Sequence, residues 1–363
     1  MGKGRSGRPT MIHVAEQAGV AVSTVGRALG GYGYVSEPTR ARIARAAEQL
    51  GYSPNGLARS MRSGSTGSIG FVGADIANPF FAQAMRGVCD IAREGGYEAI
   101  LTNTDERLDA ERAAVTVLVD KQVEGLIVSP ASVTDVAHLK QAQDQGVPVV
   151  LLDRRLPGLG VDSVVVDNQA AAYDAVIHLL ELGHRRIGLL ASVSPLEPPQ
   201  LVRHPDTEQL DITGPSRPSV DRVLGYLRAM RERGQPTPHT LTRWYSRAQP
   251  EDGDAQAAAL LACSPRPTAV FAADNAAARV LFLAAKRFGR QIPDDLSIVG
   301  FDDLDWTSMV EPALTVVAQS PRTMGRIAAE RLLARINGEL QQTRDIVVPT
   351  EFLIRGSTRR TRG

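Results

Sequence analysis

From Ile69 to Asn337 the sequence repeats one unit, an apolar run followed by a stretch of helical period. The runs are "IGFVGADI", "YEAILTNT", "GLIVSP", "VPVVLLD", "VDSVVVDN", "RIGLLAS", "TAVFAAD" and "LSIVGFDD". Helical patterns lie between most of them, around Phe81–Gly95, Asp109–Gln122, Asp135–Gln145, Ala170–Leu182, Asp221–Arg233, Asn275–Phe288 and Ser320–Asn337. Runs that are apolar at successive positions are strands covered on both faces. Strands of that kind, separated by helices, form parallel sheets with helices on each side. There are too many units for one sheet of ordinary size. The pattern predicts two doubly wound lobes, and 363 residues is too long for a single core.

The front of the chain follows a different rule. Ile12, Val14, Ala15 and Ala18 form one apolar set at helical spacing; Val22, Val25, Ala28 and Leu29 form a second. Only Gly19, Val20 and Ala21 separate the two helices, Met11–Ala18 and Val22–Leu29. Thr10 stands at the first N-cap, and Gly30-Gly31 stops the second. A third helix starts near Ser36 with Pro38 in its first turn. It ends at Leu50 before Gly51. After "YSPNGLARSMR", the stretch "SGSTGS" at 63–68 reads as a flexible joint.

Charge divides the chain at the same place. Residues 1–62 carry nine Lys/Arg and three Glu, a net +6, and the remainder carries −5. A basic head on a mildly acidic body points to a polyanion partner, although a solvated basic face has the same composition. A tight helical pair whose second member carries Ser23, Thr24 and Arg27 makes a helix-turn-helix. Small side chains let such a helix approach the major groove, and Arg27 can reach a guanine edge or a phosphate. The same pattern suits a plain helical hairpin.

Several function classes find no support. No apolar run approaches the ~18 residues of a membrane span, and no apolar segment follows the basic "MGKGRSGRPT" to make a secretory signal. The two cysteines, Cys89 and Cys263, lie far apart and form neither a metal spacing nor a disulfide framework, which favours a reducing cytosol. There is no G-x-G-x-x-G after the first strand, no P-loop and no nucleophile elbow. The six histidines are scattered. The sequence thus predicts no enzyme, no metal and no cofactor.

The segments "MIHVAEQAGVAVSTVGRAL", "YVSEPTRARIARAAEQLGYSPNGLARSMRSG" and "GSIGFVGADIANPFFAQAMRGV" resemble the lactose-repressor (LacI/GalR) family of bacterial transcription regulators. The resemblance continues through "GVPVVLLDRR", "DSVVVDNQAAAYDAVIHLLELGHRRIGLL", "AVFAADN" and "IPDDLSIVGFDDLDW". It spans nearly the whole chain except the proline-rich stretch 192–219. It implies an α/β protein: a small all-helical helix-turn-helix head and two doubly wound parallel-sheet lobes of the periplasmic-binding-protein type I kind. In that comparison Val22, Ser23 and Arg27 stand where bases are contacted, and Thr10, Thr24, Tyr32, Asn55, Ala58 and Arg62 complete the DNA-facing set. Ala21 and Gly26 depart from serines that touch phosphate in the family. "PNGLARSMR" matches a hinge helix that orders on operator DNA, with Met61 as the apolar minor-groove wedge.

In two-lobed α/β binders the ligand lies at the carboxyl ends of the strands. Those ends offer Asn78, Phe80, Phe81, Asp153, Arg154, Asp274, Asp302 and Gln319. Arg222 starts a helix, and Tyr245 or its neighbour Trp244 supplies a further aromatic. The set resembles the ribose-type binding proteins and ribose-operon repressors, with Asp274 in place of their asparagine. Asp167 and Asp303 read as helix caps or surface groups instead.

The resemblance implies a cytoplasmic, nucleoid-associated repressor. Its partners are double-stranded operator DNA, a small effector (most of all a monosaccharide such as a pentose) and a second copy of the chain. Tetramers are left open. A purine or phosphorylated effector, or a sugar receptor without gene regulation, are the alternatives. The expected divisions are 1–52 for the head, 53–68 for the hinge helix and linker, and 69–355 for the body, with a basic, disordered tail at 356–363. Within the body, lobe 1 is expected to take about 69–165 and 300–325, and lobe 2 about 166–299 and 326–355.

Overall fold

The computed structural model describes residues 9–30, 32–52, 66–203, 210–247, 249 and 251–361. The chain divides into two units, 1–67 and 68–363, each with its own core.

In the first unit α1 (Met11–Ala18), α2 (Val22–Gly30) and α3 (Glu37–Leu50) close around Val14, Val25 and Ile43, all fully buried. Gly19 ends α1 at φ 61° and Gly51 ends α3 at φ 62°. Both are left-handed caps that glycine adopts without a Cβ penalty. Thr10 occupies the N-cap of α1, where its N–H donates to His13 Nδ1 at 3.2 Å. The expected hinge helix, with Asn55, Ala58, Met61 and Arg62, lies outside the described residues.

The second unit holds the two expected sheets. In lobe 1 the strands are β1 (Ser68–Gly73), β2 (Glu98–Asn103), β3 (Leu126–Val128), β4 (Val149–Leu152) and β5 (Asp162–Val165). They run parallel in the order β5-β4-β3-β1-β2. Successive side chains of β1 take opposite faces: Phe71 joins the cluster under α4 (Pro79–Glu94), and Val72 joins the one under α5 (Leu108–Asp120) and α6 (Ala137–Asp144). Lobe 2 begins with α7 (Asn168–Glu181) and β6 (Ile187–Val193).

Residues 192–219, the proline-rich stretch, contain a hairpin of β7 (Gln200–Arg203) and β8 (Leu210–Thr213). Its prolines flank the strands, so the segment shows no helical or alternating period. Helix α8 (Pro218–Glu232) leads to β9 (Thr242–Ser246) and α9 (Glu251–Ala262), neither of them anticipated. Then come β10 (Ala269–Ala272), α10 (Asn275–Arg287), β11 (Ser297–Phe301), α11 (Asp305–Met309) and β12 (Thr315–Ala318). The sheet order of lobe 2 is β12-β11-β10-β6-β9.

Most of the C-terminal stretch falls in the opposite lobe to the one expected. Residues 300–318 stay in lobe 2, because β12 pairs with β11. Helix α12 (Pro321–Ile336) and β13 (Asp345–Val347) return to lobe 1, where β13 extends the sheet beside β5. The reason lies in two glycines. A Cβ on Gly325 would sit 1.9 Å from the Ala84 carbonyl oxygen, and one on Gly87 would sit 2.1 Å from that of Arg322. Helices α4 and α12 therefore meet backbone to backbone. β14 (Glu351–Leu353) crosses back and pairs antiparallel with β12. Three crossings thus connect the lobes.

The tail is ordered through Thr361 rather than disordered. Ser357 is fully buried; its Oγ–H donates to Ile298 O at 2.6 Å, and its Oγ accepts from Thr315 N–H at 2.8 Å. His184 reaches the Arg359 carbonyl at 3.0 Å.

Candidate functional site

In the head, α2 presents Val22, Ser23 and Arg27 on one exposed face, at the i, i+1 and i+5 positions. Val22 is 41 % exposed. Arg27 lies back along the helix, its Nε–H 3.4 Å from Ser23 O and its Cδ packed near Gly33. Thr24 is half-buried, and Thr10 and Tyr32 are exposed. Ala21 offers no side-chain cap, but its carbonyl accepts from Thr24 and Val25 N–H. The first N–H groups of α2 are thus left for an anion.

In the body, strand order reverses at β1/β3 in lobe 1 and at β6/β10 in lobe 2. Each reversal opens a crevice at the carboxyl ends of the strands, and the two crevices face each other across one cavity of about 650 Å³. All ten side chains expected there line it: Asn78, Phe80, Phe81, Asp153, Arg154, Arg222, Tyr245, Asp274, Asp302 and Gln319. Trp244 instead packs against the lobe 2 core.

Local structure fixes each of them. Asn78 caps α4 through Oδ1, which accepts Phe80 N–H at 3.1 Å. Phe80 and Phe81 meet edge to face at 5.0 Å. Arg222 is buried; its Nε–H donates to Asn168 Oδ1 at 2.7 Å and Nη1 to Ala273 O at 3.0 Å. Its guanidinium lies 3.6 Å from the centre of the Phe301 ring. Asp274 caps α10, accepting Ala277 N–H at 2.9 Å and Ser192 N–H at 2.7 Å. Gln319 Nε2–H donates to Asp302 Oδ1 at 2.6 Å. Burial raises the Asp153 carboxyl above its ordinary value against the pull of Arg154 and Arg222. Asp167 caps α7 and Asp303 pairs with Arg355 at 2.7 Å, so both are structural, as read from sequence.

Sequence reasoning missed the groups that join the lobes. Glu106 follows β2 in lobe 1, and Oε1 accepts from Arg154 Nη2 at 2.6 Å and from Arg247 Nη1 of lobe 2 at 2.8 Å. Its burial alone would raise the carboxyl, but the two guanidiniums outweigh it and hold the group far below the usual range. Glu197 of lobe 2 reaches the loop after β3: it accepts from Ser132 Oγ at 2.6 Å and from Val133 and Thr134 N–H at 3.2 Å. Arg217 Nη2 donates to the same carboxylate at 2.8 Å and to Ala131 O across the gap.

Among the described residues six non-glycine residues adopt left-handed backbone. Asp105, Glu106, Asp153 and Asp302 line the cavity, Glu197 clasps it, and only Gln122 lies elsewhere. That conformation is costly for such residues and concentrates at sites where side-chain aim matters. A sequence signal existed for Glu106, which stands in a charged run just past a strand end. Arg247 had none, because β9 is too polar to read as a strand.

Buried polar atoms lacking a partner also gather here. Arg154 Nε, Arg217 Nη1, Tyr245 OH, Gln319 Oε1 and Glu106 Oε2 all belong to residues that line the cavity. They supply donors and acceptors alike, the requirement of a polyhydroxylated ligand.

A helix-turn-helix unit and a two-lobed α/β body with a polar interlobe cavity define a DNA-binding regulator built on a small-molecule-binding scaffold. The profile of bacterial regulatory proteins of the lacI family matches residues 10–55, and that of the periplasmic binding protein-like domain matches 176–358. The HTH-type transcriptional regulator PtxS of Pseudomonas aeruginosa is 34 % identical over 355 residues, 97 % of this chain and 96 % of that protein. A solved structure of the lac repressor dimer bound to operator and the anti-inducer ONPF superposes with TM-score 0.79 at 25 % identity, over 97 % of this chain and 100 % of that one. A LacI family regulator from Enterococcus faecium with bound ribose gives TM-score 0.66 at 28 % identity, over 81 % and 100 %. The chain belongs to the lacI family: it is a DNA-binding transcriptional regulator and not an enzyme. No helix among the described residues is long and apolar enough to cross a membrane.

Proposed function

We propose that the protein is a repressor that grips a palindromic operator as a homodimer and changes that grip when a monosaccharide, a pentose before a hexose, fills the interlobe cavity. The observation that carries the reading is the convergence of all ten expected residues, and of unpaired polar atoms, on one cavity. Aromatic faces at Phe80, Phe81 and Tyr245 suit the C–H surface of a sugar. Asp153, Asp302, Arg222 and Gln319 suit its hydroxyls. The relatives support the same picture, one as a dimer on operator DNA and one with ribose.

On DNA, Val22, Ser23 and Arg27 read bases, with Thr10, Thr24 and Tyr32 positioning the head. Asn55, Ala58, Met61 and Arg62 form a hinge helix that inserts Met61 into the minor groove. An isolated helix of that length is unstable in water, so it folds on the operator. A ligand that prefers one lobe arrangement by a few kcal/mol then shifts operator affinity by orders of magnitude.

Two measurements test the reading. A thermal-shift screen of the full chain against pentoses, hexoses and purines should give its largest stabilisation with a pentose. A gel shift should show specific duplex binding by the intact chain and none by residues 69–363. Specific binding by the truncated chain, or by neither, overturns it.

A further inference from the structure

The cavity is larger than the ligand its deep end fits. Water in the liquid takes about 30 Å³ per molecule, and a pentose fills roughly the room of five or six waters. The cavity holds about 650 Å³. Gaping lobes do not create this space, since Glu106 already meets Arg247 at 2.8 Å and Glu197 meets Ser132 at 2.6 Å across the gap. A free pentose would leave most of the volume to water.

The surplus room has a lining of its own. Asn275, Ala276, Arg279 and Val280 lie on one face of α10, at the i, i+1, i+4 and i+5 positions, and continue into Leu304 and Trp306. None of these is among the ten residues of the sugar reading. The half-buried indole of Trp306 is held in one orientation. Its Nε1–H donates to Asn275 Oδ1 at 2.8 Å, and its ring meets Phe282 at 6.3 Å in an edge contact. Ala276, Val280 and Leu304 extend an apolar surface beside it. Arg279 stands exposed at the rim. The deep end is crowded with carboxylates and guanidiniums, whereas this wall is an aromatic and aliphatic platform with hydrogen-bonding groups only at its edge. Such a platform takes the flat face of a ring.

We propose that this wall is a second subsite, which takes the second ring of a glycoside of the sugar held at the deep end. The glycoside's sugar occupies the deep end, and a second ring, joined through the anomeric carbon, lies against Trp306. The proposal rests on the sugar reading of the deep end. A second sugar and a heterocyclic base share the chemistry that the wall selects, and separate arms of one experiment distinguish them.

Calorimetry on the full chain compares ribose and glucose with their disaccharides, nitrophenyl glycosides and ribonucleosides. At least one two-ring series should bind about tenfold more tightly than its parent sugar, the size of one good stacking contact. Trp306→Ala should bring that ratio close to one, and Trp306→Phe should restore most of it. Ligand-free melting curves check that both variants fold. Two results overturn the second subsite while leaving the sugar reading intact: a parent sugar that binds as tightly as every derivative, or a Trp306→Ala loss equal for parent and derivative. If no sugar, glycoside or nucleoside binds at all, the sugar reading itself falls, and the second subsite with it.

Discussion

Glu106 and Arg247 meet across the interlobe gap, with Glu106 Oε1 accepting from Arg247 Nη1 at 2.8 Å while the same oxygen holds Arg154 at 2.6 Å. A carboxylate that is nearly fully buried thus serves two cations from different lobes. Taking one partner from such a pair leaves the other charge buried and uncompensated. Glu106→Gln preserves the shape and removes the charge. It should cost about 3 kcal/mol of body stability and let the lobes part. Denaturant unfolding reads the first effect and small-angle scattering the second. Strictly additive losses in a cycle with Arg247→Ala would show that the contact carries no coupling.

The second clasp depends on acid. Burial alone would raise the Glu197 carboxyl, but Ser132, Thr134, Arg217 and the Val133 N–H pull it down to about 2, against an ordinary value of 4.5. A depressed folded-state value means that the ionised clasp stabilises the fold fully above pH 4.5, and that this contribution disappears as pH falls toward 2. Wild type and Glu197→Gln should therefore differ in melting temperature at neutral pH and converge across that window. A gap that stays constant down to pH 2 would remove the ionised carboxylate from the account.

Arg222→Ala should weaken effector binding by roughly 10- to 100-fold, the range for losing charge-assisted hydrogen bonds at about 1.5–3 kcal/mol. Ligand-free operator affinity should stay within about threefold of wild type, since Arg222 lies in the body. Calorimetry and a gel shift measure the two quantities on one preparation.

Arg27→Ala should lose about 1–3 kcal/mol of specific operator binding and little affinity for random DNA. Competition between operator and random duplex at fixed salt gives the ratio. Unaltered discrimination would leave Arg27 without a part in base readout.

Ser357→Ala should destabilise the body by about 1–3 kcal/mol, because Ile298 O and Thr315 N–H would lose a buried partner. Stopping the chain after Arg355 should lower the melting temperature further. A truncated chain as stable as the full one would mean that the tail only rests on lobe 2.

The sequence by itself determined most strands of the two sheets, the helical head and the eight cavity residues that stand at strand ends. Each is signalled locally: double-sided burial makes β1 and β10 continuous apolar runs, helical period marks α2, and residues just past a strand end must lie at the carboxyl edge of the sheet. Only the tertiary structure decided which lobe owns the C-terminal segments, that Ser357 is buried, and that Glu106 faces Arg247. Those outcomes depend on which distant surfaces fit: the backbone-to-backbone meeting of Gly87 with the Arg322 turn, the pocket for Ser357 beneath β11, and charges brought together from opposite lobes. Contacts between residues from about forty to more than two hundred positions apart leave no period or spacing in a single chain, so packing alone settles them.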